Sequence, residues 1–161
     1  MKTFYNIVNK LSLWGAYLSA LLLMSLVVLI LVEIFIRYFF DMSTMIADEY
    51  SGYLYLASIF LGLAYAFTQD AHIRINIITS KLSKKANSIV DVVAGTITIA
   101  VLAFALFRTI LFTYDSFEMQ MVSEAVSETP LYLTQIVMPI GIILFILAVI
   151  AFVLKGLKND I

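Results

Sequence analysis

The chain contains no cysteine. Disulfides, thiolate-bound metals and cysteine nucleophiles are therefore excluded. It has one histidine, His72, which excludes two-histidine haem ligation and disfavours a histidine-built metal site. Only 13% of its residues are charged, against about a quarter in a soluble domain. There is no His-Glu-x-x-His pattern, no phosphate loop, no glycine-rich dinucleotide turn and no serine–histidine–aspartate grouping that membrane depth permits. The residues thus suggest neither an enzyme nor a resident cofactor. With a formal net charge of -1, nothing in the bulk balance points to nucleic acid.

What remains is apolar. Hydrophobic residues make up 63% of the 161, and the mean hydropathy is +1.03. A chain this apolar cannot cover itself with polar surface, so lipid is its solvent. A bilayer core about 30 Å thick needs about 20 apolar residues in a helix. Four segments meet that length, at about residues 11–40, 47–67, 86–114 and 130–154. Backbone amides in lipid must bond within their own segment, so these runs predict helices. The alternating short segments of a β-barrel are not seen. The expected fold is an all-α integral membrane protein, one domain over 1–161, with four transmembrane helices.

The first apolar run, about 11–32, is longer than the roughly 7–15 residues of a signal-peptide core, and no small-residue cleavage site closes it. It reads as an uncleaved first span. Orientation follows from the basic residues. Lys2 and Lys10 precede the first span; Arg74, Lys81, Lys84 and Lys85 lie between the second and third; Lys155 and Lys158 follow the fourth. All eight fall on one side if the chain crosses four times. The loops at about 41–46 and 115–129 carry no lysine or arginine, but hold Asp41, Asp115, Glu118, Glu124 and Glu128. Both termini are expected in the cytoplasm of a bacterial inner membrane, with acidic loops outside. Between the second and third spans, Ile73, Ile77, Ile78 and Leu82 suggest a short amphipathic segment on the inner membrane surface.

Ionisable groups at membrane depth are costly and normally face protein or water. Glu33 and Arg37 lie four residues apart, on one helix face. Counted from the inner ends of their spans, Glu33 and Arg108 lie at similar depth. Glu33 is therefore expected to contact Arg37, Arg108 or both, in a structural charge cluster. Asp48 and Glu49 open the second helix, where the macrodipole favours negative charge. They, together with His72 and Arg74 at the inner surface, are candidate contacts for a partner chain. Gly52, Ser58 and Gly62 offer small surfaces for helix approach. Thr129 and Pro130 suit the N-cap and first turn of the last span, and Pro139 with Gly141 is expected to kink it.

Read together, these motifs resemble the small membrane subunit of tripartite ATP-independent periplasmic (TRAP) transporters, the DctQ-like family. The likeness runs through Glu33 to Arg37, Ala47-Asp48-Glu49, Leu61-Gly62-Leu63-Ala64, Asp70 to Asn76, Ser127 to Tyr132 and Pro139-Ile140-Gly141. It departs from the family at Ile46-Ala47, where a tryptophan often precedes the acidic pair, and at Asn76, where aspartate is frequent. The resemblance implies a scaffold subunit beside a much larger membrane subunit that holds the substrate and sodium sites. A periplasmic binding protein would deliver an organic anion of the C4-dicarboxylate or sialic acid class, with uptake driven by sodium and not by ATP. Two alternatives share the four-span plan: an autonomous proton-coupled transporter using Glu33, and the small subunit of a tripartite tricarboxylate transporter.

Overall fold

The computed structural model describes residues 2–69 and 84–158. The chain forms α1 (Lys2–Phe40), α2 (Ala47–Thr68), α3 (Lys84–Glu118), α4 (Leu131–Gln135) and α5 (Val137–Lys158). Among the described residues there is no β-strand, only one isolated bridge between Val122 and Pro130. Among the described residues, four helical stretches are long and apolar enough to cross a membrane; the last combines α4 and α5. The segment expected to lie on the inner surface, with His72 and Arg74, falls outside the described residues.

The helices outrun the apolar runs that predict them. α1 starts at Lys2, not near residue 11, and has 39 residues; at 1.5 Å per residue that is about 58 Å. α3 has 35 residues, about 52 Å by the same rise. Such lengths exceed a 30 Å core and require tilt or extension past the lipid.

The last span is broken at Ile136, between α4 and α5. Pro139 explains the break. It has no amide hydrogen for the carbonyl of Gln135 four residues earlier, and its ring crowds that carbonyl. The interruption therefore falls one turn before the proline. Thr129 is not the N-cap expected for this span. Pro130 occupies that position with extended backbone (ψ 118°), and the Thr129 hydroxyl is engaged elsewhere.

The spans pack as a row. α1 lies against α2, α2 against α5, and α5 against α3, with a smaller contact between α1 and α5. The middle helices hold the core. In the apolar windows of α2 and the last span, 22% and 33% of residues are buried, against 6% in α1 and in α3. Contacts in the row are close because the residues at them are small. A Cβ on Gly15 would sit 2.8 Å from the Leu61 carbonyl oxygen, and one on Gly141 would sit 2.5 Å from that of Phe60. Neither glycine can gain a side chain without moving a backbone. Ser19 donates a 2.6 Å hydrogen bond to the Ser58 carbonyl and also faces Gly62. Gly52, expected to serve the same purpose, has nothing within 4 Å.

At one end of the row Val8, Ala64, Ala148 and Ala151 form a buried cluster. The Phe67 ring stands edge-on to Phe145 and to Phe152, each 5.5 Å away. This cluster draws the start of α1 and the later half of α5 to the same end. The connections 41–46 and 119–130 gather at the opposite end.

Candidate functional site

The polar residues of the bundle concentrate at the end where those two connections meet. α1 carries Glu33 one turn before Arg37. Helical Cα–Cβ bonds tilt toward the helix N-terminus, so Arg37 is aimed back at Glu33. Arg37 Nε donates to Glu33 Oε1 at 2.8 Å.

Glu33 is 5% exposed, and its carboxylate has further donors. Ser43 Oγ donates to Oε1 at 2.7 Å. The Thr44 amide approaches both carboxylate oxygens, at 3.2 and 3.3 Å, and the Thr44 hydroxyl donates to Oε2. These donors are supplied by the turn between α1 and α2, where Asp41 and Met45 adopt φ of 51° and 56°. That left-handed backbone is unfavourable for residues other than glycine, Met above all. Bonds from Ser43 and Thr44 to one fixed carboxylate hold the turn in it. Arg37 Nη2 lies 3.6 Å from Asp48 Oδ2 at the start of α2, which completes a chain of charges from α1 to α2.

Glu49 does the same for the second connection. Tyr53, one turn along α2, donates to Glu49 Oε1 at 2.8 Å, and Ser127 Oγ donates to Oε2. Ser127 and Thr129 share a 2.7 Å hydroxyl contact, and Thr129 lies 3.1 Å from the Tyr50 hydroxyl. The connection is closed on itself by Ser123 N to Thr129 O at 2.9 Å and Leu131 N to Met121 O at 3.0 Å. Phe117 at the end of α3 packs edge-on against Tyr132 of α4 at 5.2 Å. Thus Glu33 fastens one loop, Glu49 fastens the other, and both fastenings meet at the first turn of α2.

Asp48 and Glu49 lie in the first turn of α2, the position that the macrodipole favours; the N-cap is Ile46, without a side-chain cap bond. Glu49 binds the distant loop, whereas Asp48 is exposed beside Arg37. Arg108 does not join the Glu33 cluster. It is exposed on α3, and among the described residues neither ion pair includes it. The two are kept apart because α3 packs on the far side of α5 from α1. Ser43 and Thr44 were not marked by the sequence, and Ser127 was marked only as part of the family likeness, with no role. Their only signal is a hydroxyl-bearing residue in a loop that follows or faces an intramembrane carboxylate.

Among the described residues no three histidines, cysteines or carboxylates are grouped to hold a metal ion. The arrangement can fix two loops in space; its carboxylates are occupied by donors.

Residues 26–159 match the family model described as "Tripartite ATP-independent periplasmic transporters, DctQ component". The chain is 26% identical over 121 residues to a Haemophilus influenzae protein, covering 75% of this chain and 73% of that one. A second Haemophilus influenzae protein is 32% identical over 82 residues, covering 51% of this chain and 49% of that one. Both relatives carry the provisional name TRAP transporter small permease protein.

Proposed function

Because this chain belongs to the DctQ-component family of TRAP transporters, a family of transporter subunits rather than enzymes, we propose that it acts as a static scaffold, pairing with a large membrane subunit that carries the substrate. The observation that carries this reading is the engagement of Glu33. A coupling carboxylate must exchange protons or ions during a cycle. Glu33 instead is held by Arg37, Ser43 and Thr44, which suits a strut. The same engagement disfavours the autonomous proton-coupled transporter. The family match likewise disfavours the tricarboxylate system.

In this reading the chain sits in a bacterial inner membrane with both termini in the cytoplasm. The lysines and arginines near the chain ends and in the middle connection support that orientation. So does the joining of the start of α1 and the later half of α5 in one cluster. The fastened loops 41–46 and 119–130 then face the periplasm. They present Asp41, Glu124 and Glu128 to solvent, beside the exposed Asp48 at the start of α2, a fixed acidic surface for steering a substrate-binding protein. Uptake would be sodium-driven, of an organic anion of the C4-dicarboxylate or sialic acid class, with the anion site in the large subunit. The exposed flanks of the row, α1 and α3, are where such a partner has room to pack.

The test is co-expression of the tagged full-length chain with its cognate large subunit, followed by purification and reconstitution. A stoichiometric complex that takes up the anion only with sodium and binding protein is expected. A chain that purifies alone and transports by itself in liposomes overturns the scaffold reading.

A further inference from the structure

Among the described residues, Arg108 of α3 is a cation with no ion-pair partner. It lies ten residues before the end of α3 at Glu118, about 15 Å along the helix, and it is exposed among apolar neighbours. An ionised side chain within a stretch apolar enough to cross a membrane needs a counter-charge or a route to water.

The route to water is poor. The end of α3 nearest Arg108 is its C-terminus, where the connection 119–130 begins. A helical side chain leaves its backbone toward the N-terminus, so the Arg108 stem starts away from that nearer surface. The same rule delivers Arg37 onto Glu33. For Arg108 the residue one turn back is Phe104, 67% exposed, and it offers no carboxylate. Among the described residues nothing else in the chain pairs with the guanidinium.

Arg108 lies on one continuous exposed seam of the helix. Ile97, Val101, Phe104, Arg108, Leu111 and Asp115 follow one another at alternating spacings of four and three, and all are exposed. That spacing lines them up along one side of α3, where a second helix can lie. The seam lies opposite Gly95, which is buried against Val153 of α5, so the fold leaves it entirely outside the row. A polar residue within such a seam fixes register when its partner supplies the complement.

We propose that this seam of α3 packs against a membrane-spanning helix of the large subunit, and that a carboxylate on that helix pairs with Arg108. The proposal rests on the scaffold reading above and adds to it a face, a register and a charge. A lipid phosphate would satisfy the same guanidinium. The side-chain direction favours a carboxylate held at the depth of Arg108 over a headgroup nearer the surface.

The experiment compares the wild-type chain with Arg108→Leu and Arg108→Lys, each full-length, tagged and co-expressed with the cognate large subunit. A photo-crosslinking residue at Phe104 is added in a parallel set. The large subunit recovered per tagged chain should fall roughly tenfold or more for Arg108→Leu, as when one side of a desolvated ion pair is removed. Arg108→Lys should retain most of the complex, and the Phe104 probe should label the large subunit. Because Arg108 has no ion-pair partner among the described residues of its own chain, the melting temperature of the isolated Arg108→Leu subunit should match wild type. Recovery unchanged in Arg108→Leu overturns the ion pair while leaving the scaffold reading intact. Crosslinks to phospholipid alone, or to a second copy of this chain, overturn the seam. A wild-type chain that retains no large subunit overturns the scaffold reading itself.

Discussion

Glu33 and Thr44 are joined across the turn between α1 and α2, with the threonine amide and hydroxyl both directed at one intramembrane carboxylate. The contact turns an acidic residue at membrane depth into the fixing point of a loop.

Replacing that carboxylate separates a strut from a coupling group. Glu33→Gln keeps the size of the side chain but weakens the charge-assisted bonds from Arg37, Ser43 and Thr44. The melting temperature of the detergent-solubilised subunit should drop by several degrees, followed by circular dichroism. Uptake per assembled complex should persist. Uptake that vanishes in complexes of normal yield would show that Glu33 carries protons or ions.

The second loop has its own fastening. Glu49→Ala and Ser127→Ala should each speed amide hydrogen exchange across 119–130 several-fold, because the half-buried bonds that close the loop onto α2 are lost. Exchange within α5 should not change. Equal protection in wild type and variants would mean that the loop is held by its own backbone bonds, such as Leu131 N to Met121 O.

One chemical change should have opposite signs at different glycines. Gly141→Ala and Gly15→Ala place a Cβ against the backbone carbonyls of Phe60 and Leu61. Forced separation of the helices should cost about 1–3 kcal/mol. Gly52→Ala meets nothing within 4 Å and should gain about 0.5–1 kcal/mol from helix propensity alone. Unfolding of the three variants in detergent is the measurement. Similar behaviour at all three sites would contradict the close packing of α2 against its neighbours.

Gln135 sits at the break in the last span, 7% exposed. Its side-chain oxygen has no hydrogen-bond partner among the described residues. Gln135→Leu removes an unsatisfied polar group at similar volume. It should leave stability unchanged or raise it by about 1–3 kcal/mol, read from thermal unfolding. A clear loss of stability would mean that the amide is bonded in the membrane-embedded protein, by water or by a neighbouring chain.

The four membrane-crossing stretches and the Glu33–Arg37 pair were legible in the residues alone, because each depends on local properties. Hydropathy summed along a segment decides whether it suits lipid. A separation of four decides that two helical residues share a face. Family likeness is likewise carried by the order and spacing of short motifs, and the match over residues 26–159 follows it.

The order of the helices in the row was decided only in three dimensions. In lipid every face of a span is apolar, so hydrophobic periodicity does not mark the side that meets another helix. Small residues mark it only where a neighbouring helix lies against them: Gly62 met Ser19, whereas Gly52 met nothing. That order also determined the fate of the charges. It set α1 and α3 on opposite sides of the middle helices, so Arg108 and Glu33 stayed apart. It carried Ser127 across 78 residues of chain to Glu49, a bond that exists because α2 begins where α3 hands over to the last span.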